Sequence, residues 1–459
     1  MTERFPQDPY LISAQRYLTE LSQRRVATWH DAEAEWRAIP VALSPTVIER
    51  QAWAQLHRDA MLIVECFPKA MQWLQTAAEK DENVSKFFDQ MLVGLSDCEK
   101  KLAKKTPNAY WGHASIRFDL FWHYGELRII EANCTIPAMQ AYSDNVLEAW
   151  ILAGGETDDR PQNVKQLLTS LLRLYRSHGG LSGNPRIAIL HRPGDSQLGE
   201  LEWLCTQWSN SGFATTLVTP DKLESRGDIW IANGVPSEIV YRHIFASRLK
   251  NEQILAALER SFETHIYNPV SAHYESKAFF ALLSHLAADE KLCSQAGISA
   301  GQATAIERRL PWSRVIGPSF AGVALESVER RLDGLVIKRS VGYGGHSVLL
   351  GETWFSQETQ NKLRSLTGMN SDVDVKSFLG WLEKDDSLWV VQERMSGLRR
   401  QTKVLTKNGV EEWNAWFDAS IFINSAGGSI CNGGVSRVAQ SPIVNIGTGG
   451  GLAPLILTP

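Results

Sequence analysis

The first hundred residues alternate apolar and polar positions with the period of an α-helix. Apolar residues recur at helical spacing in LISAQRYLTELSQRR, in SPTVIERQAWAQLHRDAMLIVECF and in VSKFFDQMLVGLSDCEKKLAKK. The pair Ser44-Pro45 fits an N-cap followed by the first turn of a helix. The pattern predicts a mostly helical region over residues 1–110, and nothing in it indicates chemistry.

A different period begins near residue 115. The runs IRFDLFW and ELRIIEAN are rich in β-forming residues, and the turn residues Tyr124-Gly125-Glu126 separate them. This arrangement predicts a β-hairpin, followed by the helix NVLEAWILAGG, over residues 111–152.

Strands and helices alternate in the middle of the chain. The segments RIAIL, LEWLCTQWSNSGF, ATTLVTP and DIWIAN follow one another across short loops. Such alternation predicts a small parallel α/β unit over residues 185–265. The loop Pro193-Gly194-Asp195-Ser196 follows its first strand, where such sheets bind ligands, but it has neither a dinucleotide fingerprint nor a Walker sequence.

The remaining region, residues 266–459, combines helical segments with β-rich segments and glycine turns. DGLVIKRSVGYGGHSVLLGE predicts a strand, a glycine-rich loop and a second strand, and WVVQERM predicts a buried strand. Taken together, the four regions predict an α/β (α+β) protein of more than one domain.

Composition and charge narrow the function classes. The chain has 459 residues, which exceeds what one hydrophobic core usually supports. A formal net charge of −4 argues against a general nucleic-acid or membrane-surface binder. The 6 cysteines form no C-x-x-C motif, and the N-terminus MTERFPQDPYL lacks the apolar core of a secretory signal. We therefore expect a cytoplasmic protein with reduced thiols and no membrane span.

The hairpin carries the first candidate chemistry. Asp119 and Glu131 lie on its two strands, and Asn133 shares a face with Glu131 because side chains alternate along a strand. Two carboxylates and an amide oxygen beside Arg117 suit a hard cation that bridges phosphate oxygens. The same residues also fit a half-buried hairpin with solvated charges on one face.

A second candidate group follows about two hundred residues later. Lys338 leaves an apolar strand and precedes a glycine-rich loop, where an ammonium group and backbone N–H groups can bind phosphate oxygens. The loop contains Gly342, Gly344 and Gly345. A glycine-rich turn without a ligand is the structural alternative, and Val390-Val391-Gln392-Glu393 alone would be an ordinary core strand.

The order of these segments resembles a known family. R-x-D followed by E-x-N and T-I-P resembles the metal-binding hairpin of ATP-grasp ligases, and V-I-K with its glycine-rich loop and V-V-Q-E resemble their ATP-binding half. The order is inverted relative to most members. The chain therefore resembles the circularly permuted ATP-grasp group of eukaryotic-type glutathione synthetase and glutathionylspermidine synthetase, which the segments NPVSAHYESK, IVYRHI and NGGVSRVA also match.

The resemblance implies a permuted ATP-grasp fold with a helical N-terminal region, a metal-binding hairpin, an inserted α/β substrate domain and ATP-binding subdomains with a glycine-rich lid. It also implies residue roles. Catalytic groups would be Arg117 and Arg437, and Mg²⁺ ligands would be Asp119, Glu131 and Asn133. ATP contacts would come from Lys277, Lys338, Gly342, Gly344, Gly345, Gln392 and Glu393. The expected ions are two Mg²⁺, with Mn²⁺ as an alternative.

The implied reaction is the ATP-dependent joining of a carboxylate and an amine through an acyl phosphate, with release of ADP and phosphate. Expected substrates are amino acids, peptides or polyamines, with no nucleic acid or membrane partner and with a homodimer left open. Phosphoryl transfer to another small acceptor and a silent ATP-binding scaffold are the alternatives. The glycine-rich loop lacks the metal-binding acid of eukaryotic-type glutathione synthetases, and the acceptor-binding residues of that group are not recognisable either. Glutathione as product is therefore not supported. Arg192 and Arg242 join Arg437 as hypothetical contacts of an anionic substrate.

Overall fold

A computed structural model of the chain describes residues 12–105, 113–226, 229–261, 263–342, 345, 347–382, 384–424 and 433–459. Its helices are α1 (Ala14–Ser22), α2 (Arg50–Ala78), α3 (Glu82–Met91), α4 (Asp97–Ala103), α5 (Gln140–Leu152), α6 (Asn163–Ser177), α7 (Leu198–Asn210), α8 (Glu252–Leu258), α9 (Ala272–Glu275), α10 (Lys277–Ala287), α11 (Glu290–Gln295), α12 (Ala300–Arg309), α13 (Leu325–Arg331), α14 (Gln357–Thr367) and α15 (Val375–Leu382). Across these ranges, no helix combines the length and the apolar character that crossing a membrane requires.

The strands belong to several sheets and alternate with the helices along the chain. They are β1 (Ala27–His30), β2 (Glu35–Ala38), β3 (Val41–Ala42), β4 (Thr46–Glu49), β5 (Ile116–His123), β6 (Glu126–Asn133), β7 (Ile187–His191), β8 (Thr215–Val218), β9 (Leu223–Arg226), β10 (Ile229–Ala232), β11 (Val235–Ser237), β12 (Ile239–His243), β13 (Ile266–Tyr267), β14 (Ser313–Ile316), β15 (Gly322–Val323), β16 (Leu335–Arg339), β17 (Val348–Leu350), β18 (Trp389–Glu393), β19 (Leu398–Thr406), β20 (Gly409–Ile423), β21 (Gly434–Ala439), β22 (Gly451–Ala453) and β23 (Leu455–Thr458).

The predicted hairpin is confirmed as β5 and β6, which pair antiparallel at one edge of a 7-stranded sheet of order β19-β3-β22-β21-β20-β5-β6. Tyr124 (φ 49°) and Gly125 (φ 88°) form its turn. Positive φ at both central residues matches the twist of antiparallel strands, and glycine adopts it without a steric penalty. The turn therefore fixes the register of the two strands.

Two further sheets complete the surroundings of the hairpin. A 5-stranded sheet has the order β15-β14-β18-β16-β17, and a 4-stranded sheet has the order β13-β12-β7-β8. All pairings in the 4-stranded sheet are parallel, as the sequence predicted for RIAIL and ATTLVTP. The segment DIWIAN, expected in the same sheet, instead forms β10 of a separate 3-stranded antiparallel sheet with β9 and β11. The limits of the individual domains stay predictions.

The N-terminal region contains strands that its sequence pattern did not predict. The helix expected to start at Ser44-Pro45 begins instead at Arg50, because residues 46–49 form β4 and pair with β23 at the other end of the chain. Strand β3 joins the 7-stranded sheet, and β1 pairs with β2 in a separate hairpin. Pairing with distant strands overrides local helix propensity here.

Helix α2 lies at the centre of the largest hydrophobic core. Phe67 of α2 is 0% exposed, and its ring lies 6.1 Å from Phe118 of β5, 5.3 Å from Tyr274 and 5.2 Å from Phe279 of α10. The core thus ties the N-terminal helices to both the hairpin and the C-terminal half. Aromatic pairs of this kind add to the stabilisation that burial itself provides.

We expect Phe67→Ala to lower the free energy of unfolding by about 3–5 kcal/mol, because it removes buried surface and leaves a cavity among four aromatic rings. Urea unfolding followed by tryptophan fluorescence measures the change. Phe355→Ala is the matched control, since Phe355 is 77% exposed. Equal losses in the two variants would contradict the assignment of Phe67 to the centre of the core.

Candidate active site

Residues from the 7-stranded and the 5-stranded sheets line one large cleft with a volume of about 1240 Å³. The predicted site residues in its lining are Arg117, Asp119, Glu131, Asn133, Lys277, Lys338, Gly342, Gly345, Gln392, Glu393 and Arg437. The remaining predicted residue, Gly344, lies outside the described residues. The fold thus brings the two candidate groups of the sequence together, while their individual roles stay predictions.

Asp119 lies at the base of the cleft and is only 1% exposed. The strand register places it opposite Glu131 of β6 on one side and opposite Ser420 of β20 on the other. Its carboxylate accepts hydrogen bonds from Arg117 Nε at 2.8 Å, Ser420 Oγ at 3.0 Å and Arg437 Nη2 at 3.1 Å. Burial alone would raise the pKa of Asp119, but the two arginines hold it well below its usual range.

Arg437 is oriented by a second buried carboxylate, which the sequence did not reveal. Asp418 of β20 is 0% exposed and accepts from Arg437 through the backbone N–H at 3.0 Å and through Nε at 2.9 Å. The Nη2 group of Arg437 bridges Asp418 at 2.5 Å and Asp119 at 3.1 Å. Bidentate contacts of this type fix the guanidinium plane, so Arg437 has one orientation toward the cleft.

Glu131 and Asn133 complete the polar edge of the hairpin. Glu131 Oε2 lies 3.7 Å from Lys277 Nζ at the start of α10. Asn133 pairs with Arg117 in the strand register, and its buried Nδ2 group has no hydrogen-bond partner in the described part of the chain. A buried polar group without a partner costs free energy unless a ligand or water satisfies it, so this edge of the cleft is suited to a polar ligand.

The opposite wall carries the two lysines. Lys338 Nζ on β16 donates to Gln392 Oε1 on β18 at 2.8 Å, and Lys277 Nζ donates to the backbone oxygen of Gly342 at 2.9 Å. Burial lowers the pKa of Lys338 to about 8, although the nearby charges of Glu131 and Asp119 act in the opposite direction. The lysines therefore lie between the glycine-rich segment and the carboxylates of the hairpin.

Gln392 makes buried side-chain hydrogen bonds beside Lys338. It is 4% exposed, and its side chain bonds Lys338, Ser313 Oγ at 3.2 Å and the backbone oxygen of Ile130 at 3.4 Å. These contacts position Lys338 and connect the 5-stranded sheet to the hairpin. The side chain of Glu393, by contrast, is 44% exposed at the cleft and has His123 Nε2 at 4.0 Å.

The loop that follows the hairpin is anchored by two buried glutamates. Glu275, which belongs to the segment NPVSAHYESK, accepts from the backbone N–H groups of Cys134 at 2.6 Å and Thr135 at 2.5 Å. Burial raises the pKa of Glu275, and these N–H groups partly offset that effect. Its second oxygen, Oε2, is buried and unpartnered within the described ranges.

The second anchor is Glu200, near the start of α7 in the parallel α/β unit. It accepts from the backbone N–H of Met139 at 2.9 Å through Oε2 and from that of Ala141 at 3.1 Å through Oε1. Arg117 Nη1 donates to the backbone oxygen of Ala138 at 2.9 Å. The loop is thus fixed from both sides and in turn orients Arg117.

Part of the cleft is lined by residues outside the two candidate groups of the sequence. From the β1–β2 hairpin come Thr28, His30, Glu35, Trp36 and Arg37, and from the α/β unit come Arg192, Asp195, Ser196, His243 and Arg248. The two groups meet because Trp29 N–H donates to the backbone oxygen of Ser196 at 2.9 Å. The sequence indicated the loop after β7, with Arg192, Asp195 and Ser196, but no signal indicated the β1–β2 residues.

The hypothesis that Arg242 contacts an anionic substrate is wrong. Arg242 is 0% exposed and donates to the backbone oxygens of Asn268 at 2.9 Å, Ile244 at 2.5 Å and Pro269 at 2.8 Å. Its side chain therefore fixes the backbone of the segments that follow β12 and β13. Arg192, in contrast, lines the cleft.

The oxygen donors at this edge of the cleft are of the kind that a hard metal ion prefers. Glu131 and Asn133 offer oxygen ligands at the cleft, and Asp119 is the adjacent carboxylate in the register. No group of three or more histidine, cysteine or acidic side chains suited to a metal occurs in the described ranges. An ion here would therefore depend on the amide of Asn133 as well as on carboxylates.

Comparison with solved structures finds proteins whose fold is similar to that of this chain. No family model matches the chain, and neither does any curated protein. The fold is similar to that of a glutathione synthetase-like effector from Globodera pallida, solved in its apo form, with a TM-score of 0.57, 11% identity and 97% of each chain covered. A provisionally named gamma-glutamylcysteine synthetase from Methylobacillus flagellatus gives a TM-score of 0.43 and 12% identity over 90% of this chain and 91% of that one. The first likeness shows a related fold alone, and the second is too weak for an argument.

We expect Glu200→Gln to loosen the start of α5 at residues 139–141. Each carboxylate oxygen accepts one backbone N–H, and a glutamine amide can accept only one of the two while its NH₂ group faces the other donor. Hydrogen–deuterium exchange of peptides covering these residues should be faster by about tenfold or more. Glu202→Gln, on the same helix with a side chain 36% exposed, is the control. Unchanged exchange in Glu200→Gln would contradict the anchoring role.

Proposed function

We propose that the chain is an ADP-forming carboxylate–amine ligase of the circularly permuted ATP-grasp type. The observation that carries this proposal is the meeting of two distant groups in one cleft. Lys277 Nζ lies 3.7 Å from Glu131 Oε2, and Gln392 Nε2 donates to the backbone oxygen of Ile130 at 3.4 Å. Phosphate-binding lysines facing metal-binding oxygens are what phosphoryl transfer from ATP requires.

The residues have separate tasks in this proposal. Lys277 and Lys338 would bind phosphate oxygens, and Glu131, Asn133 and Asp119 would hold Mg²⁺. That ion would supply Lewis-acid neutralisation of the phosphate charge. Gln392 keeps Lys338 in place through its bond of 2.8 Å. Glu393 lies at the cleft where a ribose would be recognised.

The two arginines are assigned to the second step, the attack of the amine on the acyl phosphate. A carboxylate is a poor electrophile, so ATP activates it as an acyl phosphate before the amine attacks. The attack places negative charge on the carbonyl oxygen. Arg117 and Arg437, held rigidly by Asp119, Asp418 and Ala138, present N–H donors that need no reorganisation to stabilise such charge.

Two other observations support this proposal. The fold similarity to a glutathione synthetase-like effector covers 97% of each chain, which supports a ligase-like fold. The cleft of about 1240 Å³ is also lined by Arg192, Asp195 and His243, so it has room for an acid and an amine beside a nucleotide. A phosphotransferase needs room for one acceptor only.

The defining test is ADP release by the purified protein with paired panels of amino acids, dipeptides and polyamines, with product masses read by mass spectrometry. We expect ADP, phosphate and an amide product only when an acid and an amine are both present. A phosphorylated product with a single acceptor would favour the phosphotransferase instead. An absence of ADP with every pair would favour the silent scaffold.

We expect Asp119→Asn and Glu131→Gln to lower Mg²⁺-dependent ADP release by at least about a hundredfold, since each removes charge from the proposed ion site. Glu126→Gln is the control on the same hairpin, because the side chain of Glu126 is 60% exposed. Circular dichroism verifies that the variants fold. Wild-type rates in both site variants would refute the metal assignment.

We also expect nucleotide affinity to fall at alkaline pH. Lys338 has a pKa of about 8, so it is charged below that pH and loses its charge above it. The dissociation constant for a fluorescent ATP analogue should therefore rise by about tenfold between about pH 7 and about pH 9. Lys338→Arg, which keeps its charge, should bind with little pH dependence over this range. A wild-type constant that does not vary with pH would contradict the role of Lys338.

A further inference from the structure

A histidine–carboxylate pair lies in the cleft outside the residues assigned to ATP and metal. His243 ends strand β12, and Asp195 lies in the loop after β7, so both are at the carboxyl edge of the parallel sheet. Asp195 Oδ2 is 3.7 Å from His243 Nδ1. Both residues line the cleft that also contains Arg117 and Arg437.

His243 is buried but has an unsatisfied ring. It is 2% exposed, and neither ring nitrogen has a hydrogen-bond partner among the residues that the structure describes. Buried polar groups in proteins are nearly always hydrogen-bonded. A buried imidazole that lines a cleft with both nitrogens available therefore indicates a group that binds something in that cleft.

Several charged and titratable groups surround this imidazole. The loop after β7 contributes Asp195 and Arg192, β7 contributes His191, and α7 contributes Glu200. Tyr241 lies on the same strand as His243, and the centroids of the two rings are 6.5 Å apart. Glu200 interacts electrostatically with both His243 and Arg117, so the carboxylate of Glu200 lies between the histidine–aspartate pair and the predicted catalytic arginine in this network of charges. Arg242 is turned to backbone oxygens and does not offset Asp195.

The amine of a ligase needs a proton acceptor. An alkyl amine is a cation at neutral pH and becomes a nucleophile only after losing a proton, and histidine is the side chain most often used for this task. We propose that His243, oriented by Asp195, is the general base that deprotonates the attacking amine. This inference rests on the proposed ligase function and extends it to a named residue and to the amine-binding end of the cleft.

The step balances as follows. The substrate R–NH₃⁺ gives one proton to the neutral imidazole of His243. The nitrogen lone pair forms the C–N bond, while the bond from the acyl carbon to the phosphate oxygen breaks and its electron pair leaves with phosphate. The second amine proton leaves with that phosphate. The products are the amide, hydrogen phosphate and an imidazolium, which Asp195 stabilises by its charge.

The position of Asp195 and His243 also suits binding of the protonated amine before it transfers its proton. Asp195 provides a negative charge beside the histidine for an incoming ammonium group, and the guanidinium Nε of Arg192 lies 3.7 Å from the same Oδ2. Burial acts to raise the pKa of Asp195, but His243 and neighbouring donors lower it overall. Asp195 is therefore a carboxylate at neutral pH, as the proposed role requires.

The test uses the acid and amine pair that gives the fastest ADP release, with hydroxylamine as an alternative nucleophile. Hydroxylamine is already neutral at pH 7 and does not need prior deprotonation. We expect His243→Asn to lower kcat/KM for the amine by about 10²–10⁴-fold. Hydroxamate formation should fall far less. Asp195→Asn should give a smaller loss with the same selectivity.

His178→Asn is the control, because His178 belongs to the same part of the fold but contacts Leu174 and Tyr267 instead of the cleft. Equal losses of amide and hydroxamate formation in His243→Asn would mean a structural role and would overturn the proposal. Retention of the wild-type rate with the amine would overturn it too. If the wild-type protein forms neither product from any acid in the panel, the ligase function itself fails, and the proposal fails with it.

Discussion

The carboxylate of Asp119 lies buried between two guanidinium groups, and the geometry of the cleft depends on this interaction. Buried charges are costly unless they are paired and hydrogen-bonded, and here Arg117, Arg437 and Ser420 satisfy the carboxylate together. These residues come from β5, β20 and β21, which are neighbours in the 7-stranded sheet. The contacts of Asp119 therefore join β5 to β20 and β21, which come much later in the chain, at the place where the chemistry is proposed.

A related use of buried carboxylates recurs around this point. Asp418 orients Arg437, Glu275 binds the start of the loop after the hairpin, and Glu200 binds its end. Each accepts from backbone or guanidinium N–H groups that would otherwise be unsatisfied in the interior. Supporting groups of this kind hold a site more accurately than the contacting residues could alone. The loop at Ala138 fixes Arg117 because it is itself fixed from two sides.

The sequence predicted the features that local patterns determine. The hairpin followed from its β-rich runs and turn residues, and the parallel sheet followed from alternating strands and helices. Strand β4 could not be predicted, since its partner β23 lies at the opposite end of the chain. For the same reason Asp418, Glu200 and His243 escaped notice, because their significance depends on residues that only the fold brings near. Arg242 was misjudged because a buried and an exposed arginine look alike in a sequence.

The electrostatics of the cleft explain why carboxylates and cations occur together in it. Lys277 faces Glu131, and both arginines face acidic side chains, so the cations are already largely compensated within the protein. A polyphosphate entering such a site adds negative charge that these cations can offset only in part. In the proposed function, a divalent cation bound by the hairpin oxygens would offset the remaining negative charge. On that proposal, the acidic residues that keep the arginines in place would also make nucleotide binding depend on a metal ion.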